Sequence, residues 1–193
     1  MKPRDRLKNM RNNTEIGSRP NPSLVGTART MPPDSFSFGE ESAMDTLPDK
    51  THNKIEKLCA KGDKLAERQK FSKALNQYWS AWDLLPDPKT QWEAATWILV
   101  AVGDANFLSG DFEAGRDNLY SAMHCPGAIG NPFIHMRLGQ CLFELGDLDK
   151  AADELARAFI PEGIKIFEND DRKYLEFIKA KLDPPSEGWP EGW

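Results

Sequence analysis

Histidine and cysteine are the side chains that most often act in catalysis or hold a metal ion, and this chain has three of each. His124 and Cys125 are adjacent, while His135 and Cys141 follow as single residues, which is not the spacing of a zinc site. His52 and the other histidines have no serine or cysteine nucleophile in a recognisable setting. We therefore predict that the chain has no catalytic residue and no metal ligand.

Two further kinds of chemical site are absent from the sequence. The acidic run at residues 168–171 lacks the alternating acids and the glycine of a calcium loop. It is better interpreted as a helix start, because the helix dipole favours acids there. No glycine-rich phosphate loop occurs. The sequence therefore predicts a protein that is not an enzyme and that needs no cofactor.

Helices have to position whatever binding residues the chain contains. From His52 onward, apolar residues recur at intervals of three and four, and no segment shows the alternation of a strand. This periodicity predicts an all-α fold, with a last helix ending before Pro184-Pro185 because proline cannot continue it. The predicted helices lie near residues 52–68, 70–85, 89–109, 111–123, 132–145, 147–159 and 170–182.

A repeat relates three consecutive helix pairs. Gly62, Gly103 and Gly139 each lie in the middle of a first helix, where glycine costs up to about 1 kcal/mol relative to alanine. Close approach of a neighbouring helix would explain these glycines. Each glycine is followed, at the same four distances along the chain, by an apolar residue, a small residue, a large residue and an alanine. This alternation of small and large residues lets antiparallel helices pack. The three sets are Phe71, Ala74, Tyr78 and Ala81; Phe112, Gly115, Leu119 and Ala122; and Leu148, Ala151, Leu155 and Ala158.

This pattern resembles the tetratricopeptide repeat, which has Leu-Gly in its first helix and then alanine, an aromatic residue, alanine and a closing proline. Leu138-Gly139 fits this pattern, and Pro86 stands where the family has its proline. Lys61 and Val102 depart from it, and the loops between repeats are longer than usual. The resemblance covers about residues 52–160 and implies a right-handed α-solenoid of about three helix pairs with a C-terminal capping helix.

In the tetratricopeptide family, the first helices line a concave groove that binds protein partners. Leu99, Val102, Leu138 and Leu142 already supply a core face for two of these helices. A second stripe on the same helices therefore indicates a partner-binding site or a surface covered by the chain's own tail, although each residue alone also suits a core. The predicted partner-binding residues are Asp63, Trp97, Val100, Asp104, Phe107, Phe133, Met136, Gln140, Phe143 and Glu144.

Carboxylates in this stripe indicate which partners it suits. Some family members hold the C-terminal carboxylate of chaperones in the groove, and Asp63 and Asp104 would repel such a group. Aromatic side chains ringed by acids suit apolar anchors surrounded by basic residues. We therefore predict a protein partner with a basic surface.

Three segments, residues 92–97, 103–105 and 123–133, give a closer resemblance. They are similar to small bacterial tetratricopeptide proteins encoded beside polymorphic (Rhs-type) toxin genes. The resemblance covers about residues 52–190, and it implies an immunity protein that binds and neutralises a cognate toxin domain. The alternative is a general adaptor or co-chaperone-like scaffold.

The net charge of −5 and the isoelectric point near 5.3 argue against a dedicated nucleic-acid or anionic-membrane binder. No apolar run approaches the roughly 18 residues that span a bilayer, so we predict no membrane contact. The odd number of cysteines and the lack of a readable secretory signal favour the cytoplasm. The sequence leaves the oligomeric state undetermined.

Charge and apolar content also divide the chain into three parts. Residues 1–50 are predicted to be a disordered arm, because few apolar residues accompany a basic stretch and then an acidic one. Two alternative interpretations are that the protein truly starts at Met44 and that the basic stretch contacts nucleic acid. The repeat domain is predicted over residues 51–183. The tail at 184–193 carries Trp189 and Trp193, which we expect to fold back onto the last helices or to insert into the groove or a partner.

Overall fold

The computed structural model describes residues 47–184 and Gly188, and these residues form seven α-helices with no strand. The predicted all-α fold is therefore confirmed. Most of the predicted arm and the two tail tryptophans lie outside the described residues. The first helix begins at Asp49, close to the predicted start of the helical part of the chain.

The helices correspond one to one with those predicted. They are α1 (Asp49–Ala66), α2 (Phe71–Trp82), α3 (Glu93–Leu108), α4 (Phe112–Met123), α5 (Pro132–Glu144), α6 (Leu148–Glu162) and α7 (Arg172–Lys181). Short 3₁₀ helices occur at Lys89–Gln91 and Gly163–Phe167. The helix expected over 89–109 starts only at Glu93, because an extended residue, Trp92, separates it from the preceding 3₁₀ turn.

Consecutive helices pack as pairs, α1 with α2, α3 with α4, and α5 with α6. The second helix of each of the first two pairs also contacts the next pair, and α1, α3 and α5 contact one another in succession. The last helix, α7, packs against α6 and against the 3₁₀ helix at Gly163–Phe167. The packing is thus sequential along the chain.

The glycines in the middle of α1, α3 and α5 lie directly against the second helix of their own pair. A Cβ atom on Gly103 would come within 2.6 Å of Leu119 Cγ, and one on Gly139 within 2.7 Å of Leu155 Cγ. A Cβ on Gly62 would overlap the ring of Tyr78. The predicted packing reason for these glycines is confirmed in all three pairs.

The turn inside each pair also repeats. Gln69, Gly110 and Gly146 occupy equivalent positions, and all three have a left-handed backbone with φ of 58°, 85° and 81°. In each turn, the next residue's N–H donates to a carbonyl five residues earlier, over 2.9–3.0 Å. These bonds satisfy the last carbonyls of the first helix. Gln69 is thus held in a conformation that suits glycine.

Replacing Gln69 with glycine is expected to raise the free energy of unfolding by about 0.5 kcal/mol, because a side chain in the left-handed region is strained. Urea unfolding of the Gln69→Gly variant measures this gain as a shift of the midpoint to higher urea. Gly110→Ala is the matched control, and its midpoint should fall. A lower midpoint for Gln69→Gly would show that glycine's entropy in the unfolded chain outweighs the relief of strain.

The helices α3 and α5 are enclosed by their neighbours. Every residue from 94 to 106 and from 133 to 142 is buried, whereas α1 keeps a long exposed face. Both faces of α3 and α5 must therefore be covered, which explains their apolar residues on two sides. Within the described part of the chain, none of the helices is both long and apolar enough to cross a membrane.

Candidate protein-binding site

Burial separates the ten predicted site residues into two groups. Six of them are buried in the described structure: Trp97, Val100, Asp104, Phe133, Met136 and Gln140. The other four, Asp63, Phe107, Phe143 and Glu144, are partly exposed. A side chain needs exposed surface to contact a partner. We therefore place the buried six in the core, which corrects their assignment to a binding surface.

An arginine that the sequence analysis did not single out organises the centre of the predicted stripe. Arg137, on α5, lies with its Nε 2.7 Å from Asp104 Oδ1. Its Nη1 donates to Gln140 Oε1 over 2.6 Å and to Asp170 Oδ1 over 3.0 Å. Arg137 thus joins α3, α5 and the segment before α7 in one buried polar cluster.

The surroundings of Arg137 keep it charged. Burial alone would lower the pKa of its guanidinium, but the carboxylates of Asp104 and Asp170 outweigh burial and raise the pKa above its ordinary value. The guanidinium also lies over the ring of Phe107, 4.2 Å from its centroid. Asp104 therefore neutralises a buried cation and is not the exposed groove acid that the sequence predicted.

The chain's own C-terminal segment contacts this face of α3 and α5. Phe167 and Tyr174 from that segment are buried against the repeat helices. The Tyr174 hydroxyl donates to Glu144 Oε1 over 2.5 Å. Burial raises the pKa of that hydroxyl, and the hydrogen bond to Glu144 raises it further. Lys173 Nζ lies 2.6 Å from the same carboxylate oxygen. The C-terminal segment thus contacts one end of the predicted groove, at Phe107, Phe143 and Glu144.

At the other end of the stripe, Asp63 and Trp97 also contact residues within the fold. The Tyr78 hydroxyl donates to Asp63 Oδ1 over 3.0 Å. Burial raises the pKa of that hydroxyl, and the charge of Asp63 raises it further. The ring of Trp97 meets His52 edge to face, with 5.6 Å between centroids. These contacts tie α1 to α2 and α3. Asp63 thus accepts a hydrogen bond from Tyr78 within the fold and does not face only solvent.

A continuous row of aromatic rings joins α3, α4, α5 and α7, and we call it the aromatic row. Its members, in order of contact, are Phe112, Phe107, Tyr174, Phe143 and Phe177. Successive ring centroids are 5.6, 6.3, 5.4 and 5.0 Å apart. All but Tyr174 are partly exposed. Two predicted site residues, Phe107 and Phe143, belong to the row, while the α7 rings were missed.

Charged side chains border the aromatic row. Lys173 Nζ lies 5.0 Å from the centroid of Tyr174 and 5.9 Å from that of Phe143, and Lys181 Nζ lies 5.8 Å from that of Phe177. Glu144, paired with Lys173, adds a partly exposed acid. Apolar rings surrounded by charged groups are the usual anatomy of a protein-binding patch. The aromatic row is therefore the candidate site.

His135, Cys125 and Cys141 are buried within the fold. His135 Nδ1 lies 2.6 Å from Glu154 Oε2, joining α5 to α6. Burial raises the pKa of the Cys141 thiol to about 12 and also raises that of Cys125. Both thiols are therefore protonated near neutral pH and are poor nucleophiles. Within residues 47–184, no group of three or more histidine, cysteine or acidic side chains is arranged to hold a metal ion.

The candidate site is thus defined by geometry: aromatic rings that are partly exposed, held by a buried ion cluster beneath them, and edged by lysines. Such a surface has the chemistry of an interface. No protein-family model matches the chain, and none of the curated proteins does.

Proposed function

We propose that this chain is a tetratricopeptide-type repeat protein that binds another protein through its aromatic row. The observation that carries the proposal is the partial exposure of four of the five rings in the row. Aromatic residues are enriched at interfaces, because they bury a large apolar area at a low cost in side-chain entropy. The lysines and the acid at the edge of the row would form the polar rim.

The repeated packing supports the tetratricopeptide part of the proposal. Three helix pairs share a glycine against a large side chain and a left-handed residue in the turn. In a solenoid of such pairs, each pair buries its apolar faces on its neighbours, and the last pair needs a cap. We assign that capping role to α7, which packs against α6 and contacts the end of α5 through Tyr174.

The proposed partner is a toxin domain, which would make the chain an immunity protein. This narrower role is supported by the resemblance of residues 92–97, 103–105 and 123–133 to small immunity-type proteins. Because nuclease toxins bind a polyanion, many of them are basic. The net charge of −5 would therefore speed their encounter with this chain. Attraction by Asp63 and Asp104 themselves is not part of the proposal, since both are engaged within the fold.

Replacing Phe112 and Phe177 together with alanine is expected to weaken partner binding by about 2 kcal/mol or more, the scale of interface hot spots. Both rings are partly exposed and lie at opposite ends of the aromatic row, so their loss removes contact surface while sparing the Arg137 cluster. Calorimetric titration with the toxin domain encoded next to the gene measures the change. Survival of cells that express both proteins provides a second readout.

A matched control replaces Trp79 and Tyr120 with alanine. These two residues are exposed at equivalent positions of α2 and α4, away from the aromatic row. The control should keep full affinity and full protection. If it loses protection while the Phe112/Phe177 variant keeps it, the binding surface lies on the second helices. If no neighbouring toxin is bound but another protein is, the alternative role of a general adaptor is favoured.

A further inference from the structure

A stripe of basic side chains runs along α1 and ends in the turn that follows the helix. Its six members follow one another at intervals of four and three residues, which places them on one face of the helix. They fall within a sector of about 80° around the helix axis. All six are exposed. We call this feature the lysine stripe, and its members are Lys50, Lys54, Lys57, Lys61, Lys64 and Arg68.

The acids of α1 lie on a different face of the helix. Asp49, Glu56, Asp63 and Glu67 fall about 100–140° around the axis from the centre of the lysine stripe. The apolar face, with Ile55 and Cys59, is buried in the core. Bases and acids are therefore segregated on the two sides of the exposed surface. Such segregation does not serve helix stability, which opposite charges four residues apart would favour.

The lysine stripe lacks the ion pairs that several bases of the later helices make. On α4, α6 and α7, Arg116, Lys150, Arg157 and Arg172 lie 2.6–3.2 Å from a carboxylate oxygen. Within residues 47–184, none of the six stripe residues has such a partner. The positive charge of the stripe is therefore not neutralised by neighbouring side chains.

We propose that the lysine stripe, a local concentration of positive charge on a chain of net charge −5, binds the phosphate backbone of double-stranded DNA without sequence preference. Within α1, from Lys50 to Lys64, the stripe is about 21 Å long, which equals the rise of about six base pairs along the DNA axis. Lysine is a common point-charge ligand for phosphate. The sector holds no Asn, Gln or acidic side chain to read adenine or cytosine, and lysines that contact phosphates carry no sequence information, so sequence preference is not expected.

Two other kinds of partner fit the stripe less well. Protein interfaces are depleted in lysine at their centre and need apolar anchors, and this sector contains none. Single-stranded nucleic acid binds by stacking on aromatic rings, which are also missing from it. An anionic membrane also attracts basic clusters, but stable binding adds the burial of an apolar face, and the apolar face of α1 is packed against α2. The proposal is independent of the aromatic row and its partner.

The test measures binding of the full chain to a fluorescent 20-base-pair DNA duplex by anisotropy. The affinity is expected to fall about 10³-fold between 50 and 200 mM salt, as for six phosphate contacts. Replacing Lys54, Lys57, Lys61 and Lys64 with glutamine should weaken binding at 50 mM salt at least about tenfold. The slope of log K against log salt should become shallower by about 3 to 4. Glutamine retains helix propensity, and circular dichroism checks the fold.

Two control variants change the net charge of the chain by the same amount as the stripe variant, because each also replaces four basic residues. One replaces the paired bases Arg116, Lys150, Arg157 and Arg172 with glutamine. The other replaces Arg4, Arg6, Lys8 and Arg11, which lie in the basic part of residues 1–30. Both should retain the affinity within about twofold and leave the salt slope within about 1 of the original.

Several outcomes would overturn the proposal. If the paired-base variant loses as much affinity as the stripe variant, only net charge matters. If the loss appears with the variant of residues 1–30 alone, that segment is the DNA contact. Tighter binding to poly-glutamate than to the duplex would point to an acidic protein. Stronger sedimentation with phosphatidylserine vesicles than binding to DNA would point to a membrane.

Discussion

Replacing Arg137 with alanine is expected to lower the free energy of unfolding by about 3–5 kcal/mol, the usual cost of breaking a buried ion pair. The guanidinium is buried, and it lies 2.7 Å from Asp104 and 3.0 Å from Asp170. Its removal leaves two carboxylates with little access to water and without their shared cation. Urea unfolding followed by circular dichroism measures the loss.

Two further variants make this prediction specific. Arg157→Ala removes an exposed arginine whose Nε lies 3.0 Å from Asp153, and its effect should be much smaller because solvent screens that pair. Arg137→Lys keeps the charge but has a single nitrogen, so it should recover only part of the lost stability. Equal losses for Arg137→Ala and Arg157→Ala would mean that the buried cluster does not hold the C-terminal segment in place.

The repeat was predictable because it depends on short-range spacing. A glycine and the large side chain that fills its place are separated by the same 16 residues in all three pairs, as with Gly103 and Leu119. Helix geometry then determines which faces meet. Gly110 and Gly146 suit the left-handed turn by their own chemistry, whereas Gln69 does not. For this reason the helices and their pairing were confirmed, apart from small shifts of the helix ends.

The cluster around Arg137 was not predicted, because its partners are distant in sequence. Asp170 is 33 residues away, and no local spacing relates the two. One signal was nevertheless present. Arg137 lies between Met136 and Leu138, on a helix that is too apolar to leave a wide solvent-facing side. A charge there needs a buried partner, and Asp104 on α3 and Asp170 before α7 supply it.

Contacts between residues distant in sequence also enclose parts of the predicted binding stripe. The stripe on α3 and α5 was correctly identified as a second apolar face, and α7 contacts its edge at Phe107 and Phe143. Arg137 lies against Asp104 and Gln140, and His52 lies against Trp97. The sequence alone left partner binding and coverage by the tail as alternatives. What remains exposed is the edge of the stripe, at Phe107 and Phe143, together with rings from α4 and α7.

Replacing Gly139 with leucine is expected to lower the free energy of unfolding by about 3 kcal/mol through overpacking. A Cβ atom at this position would already lie 2.7 Å from Leu155 Cγ and 3.0 Å from the Leu155 backbone nitrogen. The backbone nitrogen cannot move aside as a side chain can, so α6 itself would have to shift. The urea midpoint of the Gly139→Leu variant measures the cost.

A control and a rescue separate overpacking from a general intolerance of leucine. Ala60→Leu places the same side chain at an exposed position of α1, and the midpoint should hardly change. Combining Gly139→Ala with Leu155→Ala should cost less than the sum of the two single changes, because the smaller residue at 155 removes the side-chain part of the clash. The contact with the backbone nitrogen remains, so the rescue should be partial. An unchanged midpoint for Gly139→Leu would mean that α5 and α6 do not approach as closely as this glycine requires.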